Sequence, residues 1–130
     1  MLYVKTRLLP SPIHGIGLFA AEFLPANTII WRRELTIDIS LTEKQMSELS
    51  PPCREQIWAY SYKQKRSGLY VLCGDDARFF NHAPNPSCAD IRGIDGSGIT
   101  ISARDIQAGE ELTCDYSLID QDYIDGKYTL

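Results

Sequence analysis

At 130 residues the chain has the length of one domain with one core, not two. Its 44% hydrophobic and 23% charged residues are the make-up of an ordinary soluble globular protein, and no apolar run approaches a membrane span. Seventeen Asp and Glu against thirteen Lys and Arg leave a formal charge of −4. That balance argues against gripping nucleic acid, which needs clustered cations, and suits a basic partner such as a lysine-rich peptide.

The N-terminal Met1-Leu2-Tyr3-Val4-Lys5 lacks the charged-then-apolar layout of a signal peptide. A first β-like run covers Tyr3 to Leu8, and Pro10-Ser11-Pro12 breaks it. Thr28 to Arg32 reads as a second strand. From Leu35 to Ile39, Leu, Ile and Ile alternate with Thr36 and Asp38, the period of a half-buried strand. Thr42 and Gln45 then form a capping box, with Leu41 and Met46 placed as a hydrophobic staple. That helix must stop before Pro51-Pro52. A second helix with Pro52 near its start puts Cys53, Ile57 and Tyr60 on one face. Further β-like runs cover Leu69 to Cys73, Ile99 to Ala103 and Leu112 to Tyr116, with turns at Gly96-Ser97-Gly98 and Ala108-Gly109. The expected architecture is mostly β with a small helical insert at about 41–64.

The four cysteines, Cys53, Cys73, Cys88 and Cys114, show no C-x-x-C spacing. They are expected to be reduced, buried thiols, with no metal site and a cytoplasmic location if the source is bacterial. Asp120, Asp122 and Asp125 do not match a calcium loop, because Ile124 and Asp125 stand at the wrong positions and no Glu closes it. They are read as a solvated acidic tail.

Three segments can carry chemistry. In His14-Gly15-Ile16-Gly17-Leu18-Phe19-Ala20, two glycines let the backbone approach a ligand closely. A dinucleotide fingerprint is rejected on context, since Pro10, Pro12 and Pro25 flank the segment where a strand and a helix should be. In Arg78-Phe79-Phe80-Asn81-His82-Ala83-Pro84-Asn85-Pro86, His82 offers a general base or, with Cys88, a nucleophile pair. In Gly109-Glu110-Glu111-Leu112-Thr113-Cys114-Asp115-Tyr116, the adjacent acids of a strand point to opposite faces, so they do not converge on one bond, and at least one is expected to be a solvated charge.

In this order the three segments resemble the SET domain family. GIG resembles its G-x-G, RFFNHAPNP its R-F-x-N-H-S-C-x-P-N, and GEELTCDY its G-E-E-L-T-Y-D-Y. The resemblance runs from about Tyr3 to Tyr116 and looks most like the short SET proteins of bacteria and viruses. It implies several small sheets around a knot-like core, with the Asn81-His82 segment beside the strand ending at Tyr116. Residues 1–117 would be the SET domain and 118–130 a tail, with Tyr123 and Tyr128, able to cover the lysine channel.

The resemblance also implies an S-adenosylmethionine-dependent protein-lysine methyltransferase. Gly15, Ile16, Gly17, Asn81 and His82 would hold the cofactor, with Tyr116 both contacting it and acting as the catalytic tyrosine. Tyr60, Tyr62 and Cys114 would belong to the substrate-lysine channel. The partner would be a lysine-containing protein, histone or other, with homodimerisation as a further expectation. The chain departs from the family pattern at Ala83-Pro84, at Ser87 and at Cys114. A catalytically inactive peptide- or cofactor-binding module is the alternative in the same fold.

Overall fold

The structure is a computed structural model that describes residues 1–92, 98–125 and 127. Among the described residues, ten short strands form four small sheets, joined by four short helices. β1 (Thr6–Pro10) and β2 (Ile16–Ala20) form an antiparallel hairpin registered from Thr6↔Ala20 to Pro10↔Ile16. β3 (Ile29–Arg32) lies at the edge of a three-stranded antiparallel sheet. β4 (Ile39–Leu41) leads into helices α1 (Glu43–Glu48) and α2 (Pro51–Tyr60). β5 (Tyr62–Lys63) and β6 (Tyr70–Leu72) complete a sheet in the order β4-β6-β5. A 3-10 turn over Asp76–Phe79 precedes β7 (Asn81–His82). β8 (Cys88–Arg92) and β9 (Gly98–Ser102) finish the β3-β9-β8 sheet. β10 (Thr113–Cys114) pairs in parallel with β7, and α3 (Tyr116–Ile119) and α4 (Gln121–Ile124) follow.

The mostly-β class with a helical insert is what the sequence predicts. The capping box forms as expected: Thr42 Oγ1 accepts from Gln45 N at 3.1 Å and Gln45 Oε1 accepts from Thr42 N at 2.9 Å. Met46 is the buried residue of α1. The main core gathers Leu18, Leu24, Ile30, Ile106 and Leu112 with Cys88 and Cys114. These side chains come from the hairpin, the β3-β9-β8 sheet and the loops beside β10. The GIG hairpin, β7 and β10 are therefore anchored from behind by one packed layer.

Several elements differ from expectation. The Leu35–Ile39 alternation is not a strand; a turn occupies it and β4 begins at Ile39. The cause is Asp38. Its buried carboxylate accepts from Glu34 N at 2.7 Å and Gly74 N at 3.0 Å, while Asp38 N donates to Glu34 O. Satisfying that carboxylate sends Asp38 inward and leaves Leu35 78% exposed, the reverse of the amphipathic pattern. The first strand runs over Thr6–Pro10 rather than Tyr3 to Leu8, because Tyr3 N instead donates to Ile30 O.

The strand expected up to Tyr116 ends at Cys114. There Asp115 caps α3, accepting from Ser117 N at 3.0 Å. On α2 no residue is buried, and Cys53 is an exposed thiol, unlike the other three cysteines. The acidic tail is not simply solvated. Asp120 is buried, accepting from Lys63 N and Asp122 N at 3.0 Å each, and Asp122 is buried too. The turn expected at Gly96-Ser97 lies outside the described residues, and Gly98 opens β9.

Candidate functional site

Three chain-distant segments meet because β7 and β10 pair in parallel, Thr113 opposite Asn81 and Cys114 opposite His82. The GIG hairpin closes over this pair: the Asn81 amide Nδ2 donates to His14 O at 3.0 Å and Ile16 O at 3.4 Å. Beside them opens a cavity of about 480 Å³. That is within the size range of small-molecule sites, about 300–1,000 Å³. Gly15, Ile16, Asn81, His82, Tyr116 and Tyr60, all named from the sequence, line it.

Each wall has a local cause. Gly15 has φ +48°, a left-handed conformation that glycine adopts without strain, and it turns the loop between β1 and β2. Gly17 is buried for a different reason: a Cβ there would lie 2.9 Å from Glu111 Cδ and 3.0 Å from Ser11 Cβ. Glu111 is thus packed against the hairpin rather than solvated. Its Oε1 accepts from Ser11 Oγ at 2.6 Å and its Oε2 from Asn81 Nδ2 at 3.2 Å. Its neighbour Glu110 faces the other way and pairs with Arg104 at 2.8 Å. A backbone bond from Gln107, with Arg104 adding, holds the Glu110 carboxyl below its ordinary pKa.

Tyr116 stands at the start of α3 with its hydroxyl donating to Phe80 O. Burial, with the nearby Cys114 thiol and the Asp120 and Glu111 carboxylates adding, pushes its phenol pKa well above the ordinary value. At neutral pH Tyr116 is therefore a hydroxyl donor, not a phenolate. The Tyr116 backbone N–H donates to His82 Nδ1 at 3.0 Å. In neutral His82 the proton must then sit on Nε2, which faces the Tyr123 hydroxyl at 3.2 Å. The rings of His82, Tyr116 and Tyr123 lie within 4.8–6.3 Å of one another, centroid to centroid.

Two further lining residues were given no site role from the sequence. Arg78 lines the cavity, and among the described residues its guanidinium makes no hydrogen bond or ion pair. It is the first residue of the RFFNH segment, whose match to R-F-x-N-H was its signal in the sequence, but no role was given to it there. Lys127 also lines the cavity. Its Nζ donates to Ser61 O at 2.8 Å and sits 4.6 Å from the centre of the Trp58 ring. Burial lowers its ammonium pKa. Lys127 and Tyr123 hold the tail against α2 and His82. Tyr128, named with Tyr123, lies outside the described residues.

Gly17, Tyr62 and Cys114 are not among the cavity-lining residues. Gly17 lies directly behind the loop that does line it. Tyr62 packs against a second cluster of Trp31, Cys73 and Ala77, and burial raises its phenol pKa. In that cluster burial pushes the Cys73 thiol up to about 12. Cys114 is buried in the main core with Cys88, and both are free thiols. Cys88 is 1% exposed, so a substrate cannot reach it, and the His82–Cys88 nucleophile pair has no site. Among the described residues, no group of three His, Cys, Asp or Glu side chains is placed to hold a metal ion.

The SET domain family model matches residues 15–117. Human histone-lysine N-methyltransferase 2D is 31% identical over 112 residues, covering 84% of this chain and 2% of its own length. Drosophila melanogaster histone-lysine N-methyltransferase trr is 33% identical over 124 residues, covering 84% of this chain and 5% of its own. The H3 lysine-4 specific enzyme of Aspergillus oryzae is 30% identical over 122 residues, covering 85% and 9%. The chain thus spans only a small part of these relatives. A solved Plasmodium falciparum structure, described as a candidate histone methyltransferase, shares the fold at a TM-score of 0.62 and 20% identity. The match covers 88% of this chain and 95% of that one.

Proposed function

This chain belongs to the SET domain family, and from that premise we propose that it transfers methyl groups from S-adenosylmethionine to the side-chain amine of a protein lysine. The observation that carries the reading is the cavity itself. It gathers Gly15, Ile16, Asn81, His82 and Tyr116 from three separate segments onto one wall.

The cavity suits the cofactor's chemistry. S-adenosylmethionine supplies a methyl group already activated on a sulfonium. Its amino-acid end carries a carboxylate and an ammonium. The Arg78 guanidinium, without another partner among the described residues, is the donor for a carboxylate. Backbone groups of Gly15, Ile16 and Gly17, with Asn81 and His82, hold the remainder. Tyr60, in edge contact with Phe79 at 5.3 Å, and Tyr123 supply aromatic walls for a lysine stem. Tyr62 and Cys114, also read as channel residues, lie in the two core clusters outside the cavity lining.

A lysine entering between these rings loses hydration, which disfavours its ammonium form and frees the amine lone pair. Tyr116, kept protonated by burial, orients that amine rather than accepting its proton. The rate enhancement then comes chiefly from positioning and water exclusion. The reading extends to a tail, residues 118–130, that closes the channel. It also includes a homodimer, for which Leu8, Leu9, Ile13 and Ile16 on the hairpin offer exposed apolar side chains. Among the described residues, no helix is long and apolar enough to cross a membrane.

Titration calorimetry tests the cofactor assignment. The chain is expected to bind S-adenosylmethionine equally with and without a chelator, because the sulfonium needs no Lewis acid to release its methyl. Binding that disappears with the chelator and returns with zinc would contradict this.

A further inference from the structure

The chain has five lysines, Lys5, Lys44, Lys63, Lys65 and Lys127, and each carries the amine on which the chemistry above acts. Four of them lie outside the cavity lining. Lys5 is exposed, and so is Lys44, which faces Glu48 at 3.9 Å. Lys63 pairs with Glu43 at 3.3 Å, and Lys65 Nζ donates to Ser117 O. Lys127 alone is on the cavity wall, together with Tyr60, Tyr116 and Tyr123.

The fold holds Lys127 there from both sides. Its backbone N–H donates to Asp122 O at 2.8 Å, which closes the turn after α4. Within α4, Tyr123 packs on His82 at 4.8 Å, and His82 packs on Tyr116 at 5.3 Å. The tail is therefore fixed to the Tyr116 region just before it reaches Lys127. The Lys127 ammonium rests 4.6 Å from the centre of the Trp58 ring and donates to Ser61 O at 2.8 Å. Trp58 and Ser61 flank Tyr60, the aromatic wall given above to a lysine stem. Burial lowers the ammonium pKa against the opposing pull of Asp120 and Asp122, which raises the share of neutral amine. The four-carbon stem is flexible, so Nζ can leave Ser61 O and turn into the cavity while the backbone stays in place.

We propose that Lys127 is a substrate of its own chain: with S-adenosylmethionine bound, its side-chain amine takes a methyl group in cis. The proposal rests on the methyltransferase reading and adds to it a modification site. In the step, the Nζ lone pair forms a bond to the methyl carbon as the methyl–sulfur bond breaks. The sulfonium becomes a neutral thioether. The amine becomes a secondary ammonium, and its extra proton leaves to water. Because the chain tethers the amine to the site, its effective concentration is on the order of millimolar whatever the concentration of protein.

The test incubates the full chain with isotope-labelled S-adenosylmethionine and no other protein, and locates the label by tandem mass spectrometry. Label is expected on Lys127, with a first-order rate constant that stays the same over roughly a hundredfold range of chain concentration. The exposed Lys5 and Lys44 should stay unlabelled. Lys127→Arg keeps a cation for Trp58 but offers a guanidinium in place of the amine, and it should lose the label. Calorimetric cofactor binding shows whether that variant is folded, and the site itself is read on the wild-type chain. A chain that methylates a lysine-rich protein mixture but not its own Lys127 would overturn the proposal and leave the functional reading standing. A rate constant that rises in proportion to chain concentration would also overturn it, since one copy would then be methylating another. A chain that labels no lysine, its own or another protein's, would overturn the functional reading itself.

Discussion

Replacing Tyr116 by Phe is expected to cut turnover by about 10²–10³ while leaving S-adenosylmethionine affinity nearly unchanged, the signature of losing one preorganised hydrogen bond used in the transition state. The ring of Tyr116 packs against the main core and near His82, and Phe keeps that packing. What disappears is the hydroxyl, held toward Phe80 O and kept protonated by burial. Cofactor affinity depends on the hairpin, Arg78 and Asn81, none of which bonds the Tyr116 hydroxyl. Steady-state kinetics with calorimetric binding separate the two effects. An unimpaired variant would remove Tyr116 from its catalytic place. Equal losses in binding and turnover would make it a structural residue.

Gly17→Ala is expected to have the largest effect on cofactor binding. The added methyl would sit 2.9 Å from Glu111 Cδ and Oε1 and 3.0 Å from Ser11 Cβ. Glu111 cannot swing aside without leaving Ser11 and Asn81. Either the carboxylate moves or β2 backs away, and both displace the Gly15–Ile16 wall. Overpacking of this kind costs about 1–3 kcal/mol, which corresponds to roughly 5- to 150-fold in affinity if it falls on the bound state. Gly98→Ala is the control, since a Cβ there meets only Trp31 at an ordinary 3.5 Å. Calorimetry and thermal melting on both variants check the contrast. Unaltered binding in Gly17→Ala would show that Glu111 yields easily and that the hairpin is not clamped.

The sequence made some of this legible and hid the rest for identifiable reasons. Capping chemistry is local, so α1 could be read from Thr42 and Gln45 alone. The site motifs could be read because glycine, Asn-His and Asp-Tyr carry chemistry that few contexts need together. Non-local partners defeated the rest. Asp38 inverted the Leu35–Ile39 pattern because its partner Gly74 N lies 36 residues away. β2 was hidden because Gly15 and Gly17 look like a turn, while its pairing with β1 comes from strand contacts across that turn. Asp120 and Asp122 look solvated until Lys63 and the start of α4 are placed around them. Glu111 was one of two adjacent acids, and only the hairpin packed over it distinguishes it from Glu110. Tyr60 reaches the cavity and Tyr62 does not, because Ser61 ends α2 and the next residue starts β5.

The most direct test of the central claim is methyl transfer itself. Purified chain, isotope-labelled S-adenosylmethionine and a lysine-rich protein mixture would be incubated together, and labelled residues located by tandem mass spectrometry. Label is expected on lysine side-chain nitrogen, strongly reduced with Tyr116→Phe. A chain that binds the cofactor tightly yet labels no lysine would contradict it, leaving a SET fold that only binds.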